Sequence, residues 1–197
     1  MDELAARAGA DPLEYRLRHL SDDRARTVLS TAAEQSGWAG RPHEDDVGWG
    51  LAYSRYKDVC GYCAVVARVE VVSQVRVTDL WVAVDAGQVI NPDGLANQVE
   101  GGAIQAASWT LLEEVTFDAR TVTSRDWEGY PILRFSEVPR VHVTLLPRPH
   151  DPPLGVGEVA GGPVAAALAN ALADALGVRV RHLPLTPERI AAVIEAS

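Results

Sequence analysis

The stretch from Tyr62 to Val84 most narrows the folds open to this chain. Its first half, Tyr62 to Val72, alternates: Val65, Ala67, Val69 and Val71 fall on one face of a strand, and Val66, Arg68 and Glu70 on the other. Ser73-Gln74 makes a short turn, and Val75 to Val84 returns as an antiparallel partner. Gly50 to Lys57 reads as a strand before this pair and Val141 to Leu146 as one after it. Asp85-Ala86-Gly87 and Asn91-Pro92 break the pattern, with Asp85 and Asn91 read as turn and capping residues.

Helical patterns occupy much of the remainder. Residues 2–8 continue an amphipathic repeat that Gly9 ends, and Asp11-Pro12 caps a helix from Leu13 to Leu20. Ser21-Asp22 starts a third, running to about Ser36, with Val28, Leu29, Ala32 and Ala33 on one face. Arg41 to Val47 is polar and loop-like. A longer helix is expected over Pro92 to Glu114, burying Ala96, Val99, Ala103, Ile104, Ala107, Leu111 and Leu112. Val115–Phe117 and Val122-Thr123 suggest a small hairpin, and Ser124 to Arg134 a loop holding Trp127, Tyr130 and Pro131. The chain closes with a helix from Pro163 to Leu176, a strand from Val178 to Leu183, and a helix with Thr186 as N-cap and Pro187 at N1. The expected fold class is α+β: a mixed, largely antiparallel sheet with packed helices, divided into a helical lead-in over 1–40 and a sheet-and-helix body over 48–197.

A chain of 197 residues can bury roughly 70% of its unfolded surface, enough for a real core. Twenty-seven acidic residues against 18 basic ones give a net charge of −9, which argues against a nucleic-acid partner. No apolar run approaches a membrane span and no signal peptide is visible; the cytoplasm is the expected compartment, with the periplasm open to a complete complex. Cys60 and Cys63 form Cys-Gly-Tyr-Cys, which invites a redox or metal reading. That reading fails on context. Neither a second cysteine pair nor a nearby histidine completes a ligand set, and side chains three apart on a strand diverge.

Two glycine features point to a site. Gly101-Gly102 lies in the middle of the expected long helix, where each glycine costs ~1 kcal/mol relative to alanine. Such a pair implies that another backbone or a ligand comes very close, or that two helices pack tightly. Further on, Gly155-Val156-Gly157-Glu158 is stiffened by Pro152-Pro153 and followed by the alanine-rich helix. This arrangement can hold one acid at a fixed point. It can equally be a glycine-rich helix start with an ordinary first-turn glutamate.

Several motifs then occur in one order: Val84-Asp85-Ala86-Gly87 with Asn91-Pro92, Gln98-Val99-Glu100-Gly101-Gly102, Glu113-Glu114, Tyr130-Pro131-Ile132-Leu133-Arg134, Glu137-Val138-Pro139, and Gly155-Val156-Gly157-Glu158. Leu183-Pro184-Leu185-Thr186-Pro187-Glu188 at the end and Asp2-Glu3-Leu4-Ala5 with Asp11-Pro12-Leu13 at the start join the series. Together they resemble the C-terminal part of the molybdopterin-binding subunit of the xanthine dehydrogenase and aldehyde oxidase family, in its nicotinate dehydrogenase or isoquinoline 1-oxidoreductase form.

The resemblance implies part of a molybdenum hydroxylase acting on an N-heterocycle or an aldehyde. It makes Glu158 the general base beside molybdenum, with no metal ligand from the protein. It makes Gln98 a contact to the pterin, with Gly101, Gly102, Gly155, Val156 and Gly157 bordering the cofactor. The implied cofactor is molybdopterin in its cytosine dinucleotide form, shared with a partner chain that carries the rest of the molybdenum domain. Iron–sulfur clusters are implied on another subunit, since Cys60 and Cys63 are too few to hold one. The sequence departs from the family after the base, reading Val159-Ala160-Gly161-Gly162-Pro163 where relatives commonly carry Pro-Gly-x-Pro-Pro. The family subunit is also several times longer. Two readings follow: a piece completed by a partner chain, or a truncated, inactive remnant with a structural role.

Overall fold

A computed structural model describes residues 1–196. Three helices lead in: α1 (Asp2–Arg7), α2 (Pro12–His19) and α3 (Asp23–Ser36). Asp11 caps α2 by accepting from the Leu13 and Glu14 N–H groups, and Asp22 caps α3 through Arg24 and Ala25. Gly37, with φ 71°, ends α3 in the left-handed conformation that glycine takes without strain.

The sheet is mixed, as the alternation predicts. Strands β1 (Val47–Arg55), β2 (Tyr62–Val71), β3 (Val75–Asp85) and β4 (Arg140–Leu145) lie in that spatial order. β1, β2 and β3 pair antiparallel, and β4 adds to β3 in parallel. The register places Tyr62 opposite Asp85 and Val71 opposite Val75, with one irregularity at Arg68/Val69. The first strand begins three residues before the expected Gly50 because Val47 still pairs with Glu70.

Both faces of the sheet are covered, which is why its central strands are apolar at nearly every position. On one face, Leu51, Tyr62, Ala64, Val66 and Ala83 pack against Val28, Leu29 and Ala32 of α3. On the other, Cys63, Val65, Ala67, Val82 and Val84 meet α4 (Pro92–Leu111) and α5 (Gly161–Leu176). Helix α6 (Pro187–Glu195) closes the chain, capped by Thr186. Among the described residues no helix is long and apolar enough to cross a membrane.

Helix α5 lies directly on β1. A Cβ at Gly48 would stand 1.9 Å from the Ala171 carbonyl oxygen, and one at Gly50 would stand 2.0 Å from that of Ala167. The same helix satisfies the outer edge of β1: Asp174 accepts the Trp49 N–H at 2.9 Å, and Asn170 donates to the Leu51 carbonyl at 3.1 Å. Arg16 of α2 donates to that carbonyl as well, at 3.0 Å. The expected strand at Val178–Leu183 does not form; the β1 edge beside it is bonded by the side chains of Asp174, Asn170 and Arg16. The segment is instead tied by its arginines, Arg179 to Asn170 and Arg181 to Glu3. The expected small hairpin forms in minimal form: Phe117 bridges Val122 antiparallel, the Thr123 N–H donates to the Thr116 carbonyl at 2.8 Å, and the Asp118 N–H to that of Thr121 at 3.0 Å. The long helix stops at Leu111 rather than Glu114.

Candidate functional site

Three distant stretches converge at the N-terminal end of α5: the loop from Pro152 to Ala160, the turn from Tyr56 to Gly61, and the first half of α4. The loop is fastened residue by residue. Gly87, with φ 65°, lets the Pro152 carbonyl lie where a Cβ would be 2.0 Å away. The Leu154 N–H donates to the Ala86 carbonyl at 2.8 Å, and the Gly61 N–H to that of Gly155 at 3.0 Å. The Gln98 amide then donates to the Gly157 carbonyl at 2.8 Å, joining positions 59 residues apart. Val159 and Ala160 are buried, so the carboxylate of Glu158 projects from an anchored backbone.

Glu158 lines a polar cavity of about 370 Å³ with Asn97, Gln98, Gly101, Gly102, Gln105, Trp109, Gly157 and Gly161. The structure thus brings together Glu158, Gln98, Gly101, Gly102 and Gly157. It places Gly155 and Val156 behind the wall, where Val156 packs on Gly61 and Gly155 sits beside Cys60. The adjacent glycines of α4 meet neither helix nor loop closely. A Cβ at Gly101 or Gly157 would have nothing within 4 Å, and one at Gly102 only the Ala160 Cβ at 3.9 Å. Their bare backbone faces open space rather than a packed neighbour.

Side-chain amides dominate the cavity's chemistry. Asn97, Gln98 and Gln105 carry donors and acceptors on one group, which matches the edge of a pterin ring. One N–H of Gln98 is used on Gly157, so its carbonyl and second N–H stay available. The arrangement fits one wall of a pterin site, with a carboxylate at its end. Among the described residues no group of three or more His, Cys, Asp or Glu could hold a metal ion directly.

One site residue was invisible in the sequence. The Tyr56 hydroxyl donates to Glu158 Oε2 across 102 positions. The hydrogen bond to Glu158, then partial desolvation, holds the Tyr56 phenol above its ordinary pKa. Lys57 and Asp58, at φ 51° and 59°, turn the chain back after β1 and aim the ring. Nothing in the spacing of Tyr56-Lys57-Asp58 announces that contact.

The two cysteines separate as the strand geometry predicts. Cys63 is in the core, where burial pushes its thiol up and out of reactive range, and Cys60 stays in the turn. A larger, more apolar cavity of about 490 Å³ adjoins the site through Gly101 and Gln105. Ile104, Trp127, Tyr130, Ile132 and Leu133 line it, with Tyr130 bonded to Glu113 at 2.8 Å.

The family described as the molybdopterin cofactor-binding domain matches residues 3–139, a span that includes Tyr56, Gln98 and the α4 glycines and ends before the Glu158 loop. The chain is 45% identical, over 98% of its length, to a nicotinate dehydrogenase subunit of Pseudomonas putida. It is 35% identical, over 95% of its length, to an isoquinoline 1-oxidoreductase subunit of Brevundimonas diminuta. It spans only 18% and 24% of those two relatives. Among solved structures, quinoline 2-oxidoreductase from Pseudomonas putida 86 superposes with a TM-score of 0.61 at 33% identity, over 68% of this chain and 18% of that one.

Proposed function

The chain belongs to the molybdopterin cofactor-binding domain family, and from that membership we propose that it forms one wall of the active site of a molybdenum hydroxylase. The substrate class is an N-heterocycle or an aldehyde, and Glu158 is the general base. The observation that carries this reading is the Gln98–Gly157 hydrogen bond, which sets the amide-and-glycine face of α4 against the loop bearing the carboxylate.

When bound, the molybdenum cofactor supplies the redox chemistry. The chain's own contribution is position and proton transfer. Gln98, with Asn97 and Gln105, offers the hydrogen bonds that orient a pterin edge, and Gly101, Gly102 and Gly157 let it approach the backbone. Glu158 accepts the proton released as an oxygen nucleophile attacks the substrate carbon. A positioned base of this kind is typically worth ~10²–10⁴ in rate.

Glu158 and Gln98 are both exposed on this chain. A carboxylate in open water is a poor base and an amide in water a weak anchor, because solvent competes for both. A partner polypeptide carrying the rest of the molybdenum domain therefore covers the cavity, and an iron–sulfur subunit takes the electrons. We assign the cofactor as the cytosine dinucleotide form and the chain to the cytoplasm, with the periplasm as the alternative compartment of the complete complex.

The test is assembly with that partner, followed by substitution. Glu158→Gln should cut turnover by ~10²-fold or more while molybdenum content stays near wild type. Gln98→Ala should lower molybdenum content, because it loosens the loop and removes an anchor together. Full turnover in the Glu158→Gln complex would sink the assignment.

A further inference from the structure

Glutamate has a long, freely rotating side chain, and an exposed one samples many rotamers. Glu158 is exposed, yet its Oε2 is held by the Tyr56 hydroxyl, and no other donor reaches the carboxylate among the described residues. Among those residues Oε1 is left without a partner.

We infer that Tyr56 is the positioning residue for Glu158, pinning one carboxylate oxygen so that the other is presented to the cavity as proton acceptor. The inference rests on the reading of Glu158 as the base. Its physical support is that both residues share one rigid frame. The Tyr56 N–H donates to the Gly61 carbonyl at 2.9 Å, and the Cys60 N–H returns to the Tyr56 carbonyl at 2.9 Å. Gly61 in turn donates to Gly155, three residues before the carboxylate, so hydroxyl and carboxylate move as one body. A Cβ at Gly61 would lie 2.4 Å from the Val156 side chain, so the two loops touch at a point only glycine permits.

A phenol suits the task. Its pKa stands far above neutrality, so it donates a hydrogen bond without giving up its proton or competing for the one Glu158 receives. The charged groups facing the pair are Glu158 itself and Lys57, whose ammonium lies 5.2 Å from the Tyr56 ring centroid. Glu158 holds the phenol proton on, and Lys57 acts the other way. The remaining cavity side chains, Asn97, Gln98, Gln105 and Trp109, carry no charge.

The chain alone, without cofactor, tests the contact. Ultraviolet difference titration of wild type against Y56F isolates Tyr56 among the five tyrosines. In E158Q the Tyr56 phenolate should form at lower pH than in wild type, and in Lys57→Met at higher pH, with circular dichroism confirming that each variant is folded. An unchanged midpoint in E158Q would overturn the inference whatever the cofactor reading. In the assembled enzyme, Y56F should keep its molybdenum and its KM but lose turnover on the order of tenfold, the effect of loosened orientation. Wild-type turnover in Y56F would remove the positioning role. A coupled titration beside normal turnover in E158Q would instead remove the base, and Tyr56's role with it.

Discussion

Asp85 has no solvent exposure, and three donors share its carboxylate. Arg24 of α3 reaches both oxygens, with Nε at 2.9 Å from Oδ2, Arg148 donates to Oδ2 at 3.1 Å, and the Gly87 N–H donates at 2.9 Å. Burial pushes the Asp85 carboxyl up, but Arg24, Gly87 and Arg148 outweigh it and hold the group below the usual carboxylate range. Asp85→Asn should therefore cost about 3–5 kcal/mol, the range for removing one partner of a buried ion pair, read as a lower urea midpoint. A group depressed in the folded state stabilises fully above its unfolded pKa of about 3.9, and that contribution fades as pH falls toward the folded value. The wild-type advantage over Asp85→Asn should thus shrink in acid and remain constant above about pH 5. The sequence reveals half of this. Asp before Ala-Gly marks a turn, and Gly87 does bond Asp85. The arginines stand 61 and 63 positions away, where local reasoning has no reach. Tyr56 is illegible for the same reason, while a glycine-marked loop points to Glu158 and the family resemblance alone points to Gln98.

Glycines illustrate what elements disclose and what they hide. Gly101-Gly102 stood out as a site of close approach, and their backbone faces a cavity; the tight contacts are at Gly48 and Gly50, where α5 lies on β1. A glycine announces permission, and only the tertiary partner says for what. Two opposite outcomes follow. Gly50→Ala sets a methyl into the backbone of Ala167 and Ala171, neither of which can yield, so it should destabilise by about 2–3 kcal/mol. Because α5 starts three residues after Glu158, the same change should also disturb the Tyr56 titration described above. Gly101→Ala meets no atom within 4 Å and should raise stability by up to ~1 kcal/mol, since alanine is the better helix former. In the assembled enzyme that added methyl stands in the cavity and should lower molybdenum content. Thermal melts with metal analysis separate the two effects. The hairpin itself was legible to within a residue because alternation fixes both its faces and its length. Val178–Leu183 is not, since its pattern resembles a strand while the β1 edge beside it is capped by Asp174, Asn170 and Arg16.

Most of the large apolar side chains pack into two cores, and among the described residues several of the most exposed ones fall between α4 and β4. Phe117, Trp127 and Phe135 are 77%, 75% and 102% exposed, with Val115, Val122 and Ile132 beside them in sequence. All belong to the irregular segment between α4 and β4, from which Trp127 and Ile132 line the apolar cavity adjoining that of Glu158 and Gln98. Apolar surface grouped in this way marks a surface for another polypeptide. In the proposed assembly the occupant is the chain that carries the rest of the molybdenum domain, because the segment adjoins a cavity where Glu158 and Gln98 are solvent-exposed. Replacing Phe117, Trp127 and Phe135 together with serine should leave the thermal midpoint nearly unchanged, because none is in a core, while weakening partner binding by at least tenfold in a titration. Alone, the chain should retain no molybdenum and oxidise neither heterocycle nor aldehyde; mixed with the partner, the wild type should do both and the triple variant should do so only at raised partner concentration. A chain that bound molybdenum and turned over by itself would show that the wall described here is a whole site, and the exposed aromatic segment would then have some other purpose.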